Sequence, residues 1–152
     1  MPRLNPSDEM DTAAYAISFM KAAKVLAAED KEWGDNHSLI VPFYMLIGFS
    51  LENALKAILE FNGSDPKTNW SHSHDLQKLR LLAEQHDFAV SDDLRDFIDH
   101  LSPLHKEHHF RYPQKAQTAE LLKPIAATEL TETLLVRVFL AIDGAKRVGG
   151  PL

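Results

Sequence analysis

The sequence predicts an all-α protein, an antiparallel up-and-down bundle of about five helices that forms one domain over residues 1–152. Three observations carry this prediction. Apolar residues recur at the three- and four-residue spacing of a helix face in three long segments. Ser, Asp, Pro and Gly stand where these segments begin and end. No segment has the pattern of a strand, and no repeat or linker divides the chain.

The first two predicted helices supply the centre of the bundle. The first is capped by Ser7 and runs to about Trp33. Its inner face is rich in alanine, which lets a neighbouring helix approach closely. The residues of that face are Ala13, Ala16, Met20, Ala23 and Ala27. The second helix begins near Pro42 and ends at Asn62 and Gly63. Because it is apolar around most of its circumference, we expect it to be the central helix.

Two shorter helices are predicted in the middle of the chain. Residues 64–73 are expected to form a loop, and the helix after it is capped by Ser73 or Asp75. The next helix is capped by Ser91 and interrupted near Pro103. Their predicted inner faces are Leu76, Leu79, Leu82 and Ala83, and Leu94, Phe97, Ile98 and Leu101.

Residues 104–126 are the least regular stretch, and the last long helix is predicted over residues 128–147. Its inward-facing residues are Leu130, Leu134, Val138, Ala141, Ile142 and Ala145. Val136 and Leu140 lie away from this stripe. They are either ordinary exposed apolar residues or part of a homodimer interface.

Composition excludes several classes of function. A net charge of -6 argues against a generic nucleic-acid coat with a basic surface. The absence of cysteine excludes disulfides and thiolate metal sites. The N-terminus lacks a basic start followed by an apolar run, and the most apolar segment contains Glu52 and Lys56. We therefore expect a cytoplasmic protein with no membrane contact.

The eight histidines raise the question of a metal site. They include His72 and His74 before Asp75, and His105, His108 and His109 before Arg111. On a helix, His105 would share a face with both His108 and His109, which is the spacing of metal ligands, with Asp75 and Glu107 as nearby carboxylates. No HExxH pair or two-histidine-one-carboxylate pattern is complete in the sequence, so we expect neither a metal nor a cofactor.

Glu52 is a carboxylate in the middle of the helix expected to be most buried. One interpretation is a plain ion pair with Lys56, four residues further on, at the edge of the core. The other is a partly buried acceptor that orients a base such as Arg111 or His74. Asp75 has a structural explanation as a helix cap.

Residues 105–115 form the one locally basic stretch, and aromatic residues are interleaved in it. Arginine beside aromatic rings suits the recognition of phosphates and bases. It suits equally a structural loop in which Phe110 and Tyr112 dock on the bundle. If the stretch binds a ligand, the expected binding surface is His74, Asp75, His105, His109, Arg111 and Tyr112.

Three segments, in this order on a helical chain of this size, resemble one family. They are Tyr44–Ala57 (YMLIGFSLENALKA), then Ser73-His74-Asp75-Leu76-x-x-Leu79, and then Phe110-Arg111-Tyr112-Pro113. This pattern resembles the HEPN superfamily of prokaryotic helical domains, over residues 42–113. The resemblance implies an up-and-down helical bundle that is commonly a dimer. It also implies either a metal-independent ribonuclease toxin or defence effector, often paired with a minimal nucleotidyltransferase, or a binding module that has lost catalysis.

The ribonuclease members carry an arginine, usually followed by a polar residue, and a histidine after four to six intervening residues. Two stretches here have this spacing, Arg95 to His100 with polar Asp96, and Arg80 to His86 with Leu81 after the arginine. With this composition, about one such match is expected by chance. The leading expectation is therefore a HEPN-like binding module for a nucleotide, an RNA or a partner protein, without catalysis. The alternatives are a ribonuclease that uses Arg95 and His100, and a purely structural partner-binding bundle.

Overall fold

A computed structural model describes residues 9–29, 39–108, 110 and 120–147. These residues form six helices and, within those ranges, no strand, so the predicted all-α class is confirmed. The helices are α1 (Glu9–Glu29), α2 (Ile40–Phe61), α3 (Pro66–Ser71), α4 (Leu76–Glu84), α5 (Asp92–Lys106) and α6 (Pro124–Arg147). None of them combines the length and the apolarity needed to cross a bilayer.

The second helix is the centre of the bundle, as its apolar circumference predicts. It contacts each of the other five helices. The side chains of Ile47, Leu51 and Leu55 are completely buried along it. Full burial of a leucine or isoleucine side chain contributes about 1.5–3 kcal/mol to folding, so α2 supplies a large part of the hydrophobic stabilisation.

The alanine face of α1 packs against α2. Ala13, Ala16 and Ala23 have no exposed surface, so the backbones of the two helices can approach closely. Two hydrogen bonds fix their antiparallel direction. Thr12 donates to Oε2 of Glu60 at 2.9 Å, and the Ser50 hydroxyl donates to the carbonyl oxygen of Ala16 at 2.7 Å.

Arg80 links α4 to α5 through hydrogen bonds to a carboxylate. The Arg80 side chain is buried and donates to both carboxylate oxygens of Asp99, at 2.8 and 2.9 Å. It also donates to Oε1 of Glu84 at 2.8 Å. Arg80 thus has a structural role, although its spacing to His86 also fits the ribonuclease pattern.

The prediction of a loop over residues 64–73 is wrong, because α3 lies within it. Asp65 accepts a hydrogen bond from the backbone N–H of Lys67 at 3.0 Å, and Pro66 occupies the first helical position. These are the two local signals that begin a helix, and they raise the number of helices from five to six.

Two helix boundaries also differ from the prediction, and those of α1 cannot be compared. The helix predicted to break near Pro103 continues to Lys106, because its buried face has members on both sides of the proline, Leu101 before it and His105 after it. The last helix begins at Pro124 rather than at residue 128, with proline again in the first turn. The described part of α1 ends at Glu29, so the predicted end at Trp33 and the cap at Ser7 lie outside the described residues.

Other predicted features are confirmed. Asp75 caps α4 by accepting from the backbone N–H of Lys78 at 3.0 Å, and Ser91 caps α5 by accepting from that of Leu94. The buried members of the predicted inner faces of α4, α5 and α6 include Leu76, Leu79, Ala83, Leu94, Phe97, Ile98, Leu101, Leu134, Val138 and Ile142.

Candidate functional site

Glu52 lies in the middle of α2 and is only 3% exposed. Its two carboxylate oxygens accept three side-chain hydrogen bonds. Nζ of Lys56 lies 2.6 Å from Oε1, while Nδ1 of His74 and Nε2 of His105 lie 3.0 and 2.8 Å from Oε2. We call these four residues, Glu52, Lys56, His74 and His105, the Glu52 cluster.

His74 reaches this cluster from the turn between α3 and α4. Its φ angle is 68°, in the left-handed region that histidine adopts more readily than most residues. The next residue, Asp75, donates its backbone N–H to the carbonyl oxygen of His72 and caps α4 with its side chain. The tight turn and the cap together aim the His74 ring back at α2.

His105 reaches the cluster from the last turn of α5, and its side chain is only 4% exposed. It lies directly against Gly48 of α2. A Cβ atom at position 48 would lie 2.3 Å from Nδ1 of the His105 ring, which is far closer than atoms can approach. Any side chain at position 48 would exclude the His105 ring. Gly48, which lies one turn before Glu52, therefore makes room for it.

Aromatic rings surround the two imidazoles. The Phe49 ring packs edge-on against both, with centroids 5.4 Å from His105 and 6.2 Å from His74. The two imidazoles lie 5.3 Å apart, and the His108 ring lies 4.9 Å from His74. These ring contacts hold the imidazoles in place, and the burial of Glu52 and His105 lowers the local dielectric, so the hydrogen bond between them is strengthened.

Glu52 is ionised in these surroundings. Burial would raise the pKa of its carboxyl group, but the hydrogen bonds from His105 and Lys56 and the positive charge of Lys56 outweigh burial and lower the pKa to about 2. An ionised carboxylate can only accept hydrogen bonds. It follows that His105 carries a proton on Nε2 and His74 carries one on Nδ1. Lys56 also donates to the Ser73 hydroxyl at 2.9 Å, which ties the cluster to the turn before α4.

The cluster opens to solvent on the His74 side. The side chain of His74 is 25% exposed, whereas those of Glu52 and His105 are 4% exposed. Next to it, Nζ of Lys106 pairs with Oδ2 of Asp75 at 3.0 Å. The pKa of Asp75 is lowered: partial burial raises it, and the backbone N–H of Lys78 and the Lys106 ammonium lower it by more. We call His74, Asp75, Lys106 and His108 the mouth of the cluster.

Among the residues that the structure describes, Glu52, His74 and His105 form a group that could hold a metal ion. One ligand atom from each lies within 4.8 Å of the others. This is a two-histidine-one-carboxylate set, and the sequence shows no sign of it because its members come from three separate segments. The grouping considered in the sequence, His105 with His108 and His109, differs from it, and His109 lies outside the described residues.

Arg95 and His100, which have the spacing of the ribonuclease members, lie outside the Glu52 cluster. Arg95 is on the first turn of α5 and pairs with Asp92 at 2.9 Å. His100 is exposed and hydrogen-bonds to the carbonyl oxygen of Glu120. His100 lines an open cavity of about 780 Å³ between α5 and α6, and Arg95 is not among its lining residues. Four carboxylates line the same cavity, from Asp93, Asp96, Glu120 and Glu129.

Two of the six predicted ligand-binding residues, His74 and His105, belong to the cluster, and Asp75 stands at its mouth. His109, Arg111 and Tyr112 lie outside the described residues, so their role stays a prediction. Of the three partners considered for Glu52, the structure shows Lys56 and His74, and Arg111 lies outside the described residues. The sequence reasoning missed His105 as a partner. The signal that could have found it is Gly48, because a lone glycine within an apolar helix often marks a close approach by another group.

No family model, curated protein or solved structure matches this chain.

Proposed function

We propose that this chain is a HEPN-like binding module, without catalysis, that recognises a phosphate-bearing ligand at the mouth of the Glu52 cluster. The ligand class is a nucleotide or an RNA. The observation that carries the proposal is the convergence of Lys56, His74 and His105 on one buried carboxylate, with His74 left partly open to solvent.

The cluster is costly to build, and this favours a role beyond stability. A buried ionised carboxylate has a large desolvation penalty, and a well-packed apolar group at the same place is often as stable. The chain also places a glycine inside α2 and a histidine with positive φ before α4 to complete the arrangement. Backbone strain of this kind concentrates at functional sites.

Three of the four groups at the mouth suit an anion, and the fourth, the Asp75 carboxylate, is paired with Lys106. His74 and His108 present imidazoles. Lys106 presents an ammonium, and its side chain is 56% exposed. In the sequence, the basic and aromatic stretch with His109, Arg111 and Tyr112 follows directly. Charge-assisted hydrogen bonds to phosphate oxygens are among the stronger polar interactions, and aromatic rings stack on bases.

The ribonuclease alternative has less support. The carboxylates around His100 would repel an RNA phosphate. Arg95 and His100 also lie about 140° apart around α5 at the normal helical rotation. The homodimer and a minimal nucleotidyltransferase as partner remain parts of the proposal that follow from the HEPN resemblance. The cytoplasmic location also remains part of it and follows from the composition of the chain.

Binding is tested with ATP and a short single-stranded RNA, titrated in the presence of EDTA and followed by fluorescence anisotropy or calorimetry. We expect Lys106→Ala and His74→Gln each to weaken binding by about tenfold, the loss expected for one charged hydrogen bond. Two matched controls should leave affinity unchanged: His86→Gln, after the far end of α4, and Arg95→Ala, at the far end of α5. If neither probe binds, or if the mouth variants bind as the wild type does, the proposal is wrong.

A further inference from the structure

We propose that Glu52, His74 and His105 form a binding site for a divalent transition-metal ion of the zinc type. The proposal rests on the same residues as the proposed function but is independent of any phosphate ligand. The three ligand atoms are Oε2 of Glu52, Nδ1 of His74 and Nε2 of His105.

The spacing of these atoms suits a metal. Zinc binds imidazole nitrogen and carboxylate oxygen at about 2.0–2.2 Å, so neighbouring ligands of a tetrahedral ion lie about 3.4 Å apart. The two imidazole nitrogens lie 3.0 and 2.8 Å from Oε2 of Glu52. All three ligand atoms lie within 4.8 Å of one another, so small shifts of the three side chains bring them to the spacing that the ion needs.

The donor set is also of the right chemical type. Two imidazoles with one carboxylate hold zinc in catalytic sites and non-haem iron in oxygenases, and both leave coordination positions open. In this cluster solvent reaches the ligand atoms from the His74 side, because His74 is the most exposed of the three residues. The His108 ring, 4.9 Å from that of His74, lies on the same side.

The surrounding residues hold the ligands in position. Phe49 packs against both imidazoles, the His105 ring is fitted against Gly48, and a positive φ angle aims the His74 ring at α2. A site that is oriented before the ion arrives loses little conformational entropy on binding.

Metal binding requires the two ring protons to move. Without the ion, His74 donates from Nδ1 and His105 from Nε2 to Glu52. A metal ion needs the lone pairs of these same nitrogens, so in each neutral ring the proton must pass, through solvent, to the other nitrogen. Zinc should therefore convert His74 to the Nε2–H form and His105 to the Nδ1–H form. Zinc that only paired with charged groups at the surface would leave the tautomers of His74 and His105 unchanged.

Lys56 opposes the metal. Its ammonium lies 2.6 Å from Oε1 of Glu52, so it repels a cation bound at Oε2 and competes for the carboxylate charge. Replacing Lys56 by glutamine should raise zinc affinity by at least about tenfold, because a positive charge this close costs more than 1.4 kcal/mol. A merely structural cluster would instead be weakened by the loss of Lys56 and would gain no metal affinity.

The experiment uses the full chain, freed of metal with a chelator and then titrated with Zn²⁺ by calorimetry and with Co²⁺ by visible absorption. We expect one ion per chain, Co²⁺ bands of a four- or five-coordinate site, and the tautomer change in long-range ¹H–¹⁵N spectra of the imidazoles. Glu52→Gln and His74→Gln should each weaken binding by more than about 100-fold, since loss of an outer partner alone costs about 10- to 100-fold. His86→Gln should bind as the wild type does.

Circular dichroism checks that each variant is folded. If Glu52→Gln unfolds, His74→Gln still tests the proposal, because His74 is the least buried of the three ligands. The absence of stoichiometric binding by the wild type overturns the proposal. Full zinc affinity in the folded His74→Gln variant would also overturn it. Weaker zinc binding by Lys56→Gln than by the wild type would do the same. Because these titrations contain no nucleotide and the nucleotide titrations contain EDTA, either proposal can fail without the other.

Discussion

His105 and Glu52 are 53 positions apart in the chain, and Nε2 of His105 lies 2.8 Å from Oε2 of Glu52 in the buried interior. This contact joins the end of α5 to the middle of α2. It exists only because Gly48, one turn before Glu52, leaves room for the ring.

Gly48→Ala should destabilise the protein by about 1–3 kcal/mol, because the new methyl group forces the His105 ring away from a well-packed position. Helix propensity alone predicts the opposite sign, since alanine is favoured over glycine by about 1 kcal/mol. The matched control is Gly144→Ala in α6, where a Cβ atom would meet nothing within 4 Å. It should stabilise the protein by about 0.5–1 kcal/mol. Urea denaturation measures both, and equal stabilisation by the two substitutions would contradict the described packing.

The ionised state of Glu52 makes stability depend on pH. In the folded protein its pKa is lowered to about 2 from its ordinary value of 4.5, so the folded state binds the proton less readily than the unfolded chain does. Its contribution is therefore fully present above pH 4.5 and is lost as the pH falls towards 2. The shift corresponds to roughly 3 kcal/mol.

Glu52→Gln should remove this contribution. The difference in unfolding free energy between the metal-free wild type and the variant should shrink as the pH is lowered from 7 to 3, because only the wild type has the carboxylate to protonate. Glu129→Gln, which replaces an exposed carboxylate on α6, serves as the control. A difference that stays constant over this range would show that Glu52 is not held ionised by its partners.

The two arginines that fit the ribonuclease spacing should differ in their effect on stability. Arg80→Met removes a buried guanidinium with three hydrogen bonds to Asp99 and Glu84, and we expect a loss of about 1–3 kcal/mol. Arg95→Ala removes an exposed pair with Asp92 and should change stability by less than about 0.5 kcal/mol. Thermal denaturation distinguishes them, and equal effects would contradict the assignment of Arg80 as the link between α4 and α5.

The purified protein should not cleave RNA in EDTA. His100 stands among four carboxylates, and Arg95 is not part of that cavity. A labelled single-stranded RNA incubated with the wild type and with His100→Ala should stay intact in both. Cleavage that the wild type performs and a folded His100→Ala variant does not would establish the ribonuclease alternative instead.

Val136 and Leu140 are 57% and 66% exposed on α6, one turn apart on the same face. If they form the homodimer interface, Val136→Glu with Leu140→Glu should produce a monomer, because two charges would be buried against their copies. Light scattering after size-exclusion chromatography measures this. Val25→Glu, on the exposed face of α1, is the control. A wild type that is monomeric at high concentration would rule out this interface.

The sequence was sufficient to predict those helices whose apolar period and capping residues agree, such as α2 and α4. It failed at α3 and at Pro103, for two different reasons. The signals that begin α3, Asp65 and Pro66, are also turn signals. At Pro103, burial of the helix on both sides of the proline outweighs the local loss of one hydrogen bond.

The candidate site was only half predictable. The sequence marks Glu52 as a charge that needs a partner, and His74 as an available one. It does not show that His105 shares the same carboxylate oxygen, because this depends on how α5 packs on α2. Tertiary contacts between residues this far apart in the chain leave no periodic trace in a single sequence.

Glu52 orients two imidazoles, and the long-range ¹H–¹⁵N spectrum of the metal-free protein near neutral pH tests this most directly. We expect that His105 carries its proton on Nε2 and His74 carries one on Nδ1, both donated to Glu52, and that both assignments are lost in Glu52→Gln. Proton positions on the opposite nitrogens, or spectra unchanged by Glu52→Gln, would contradict it.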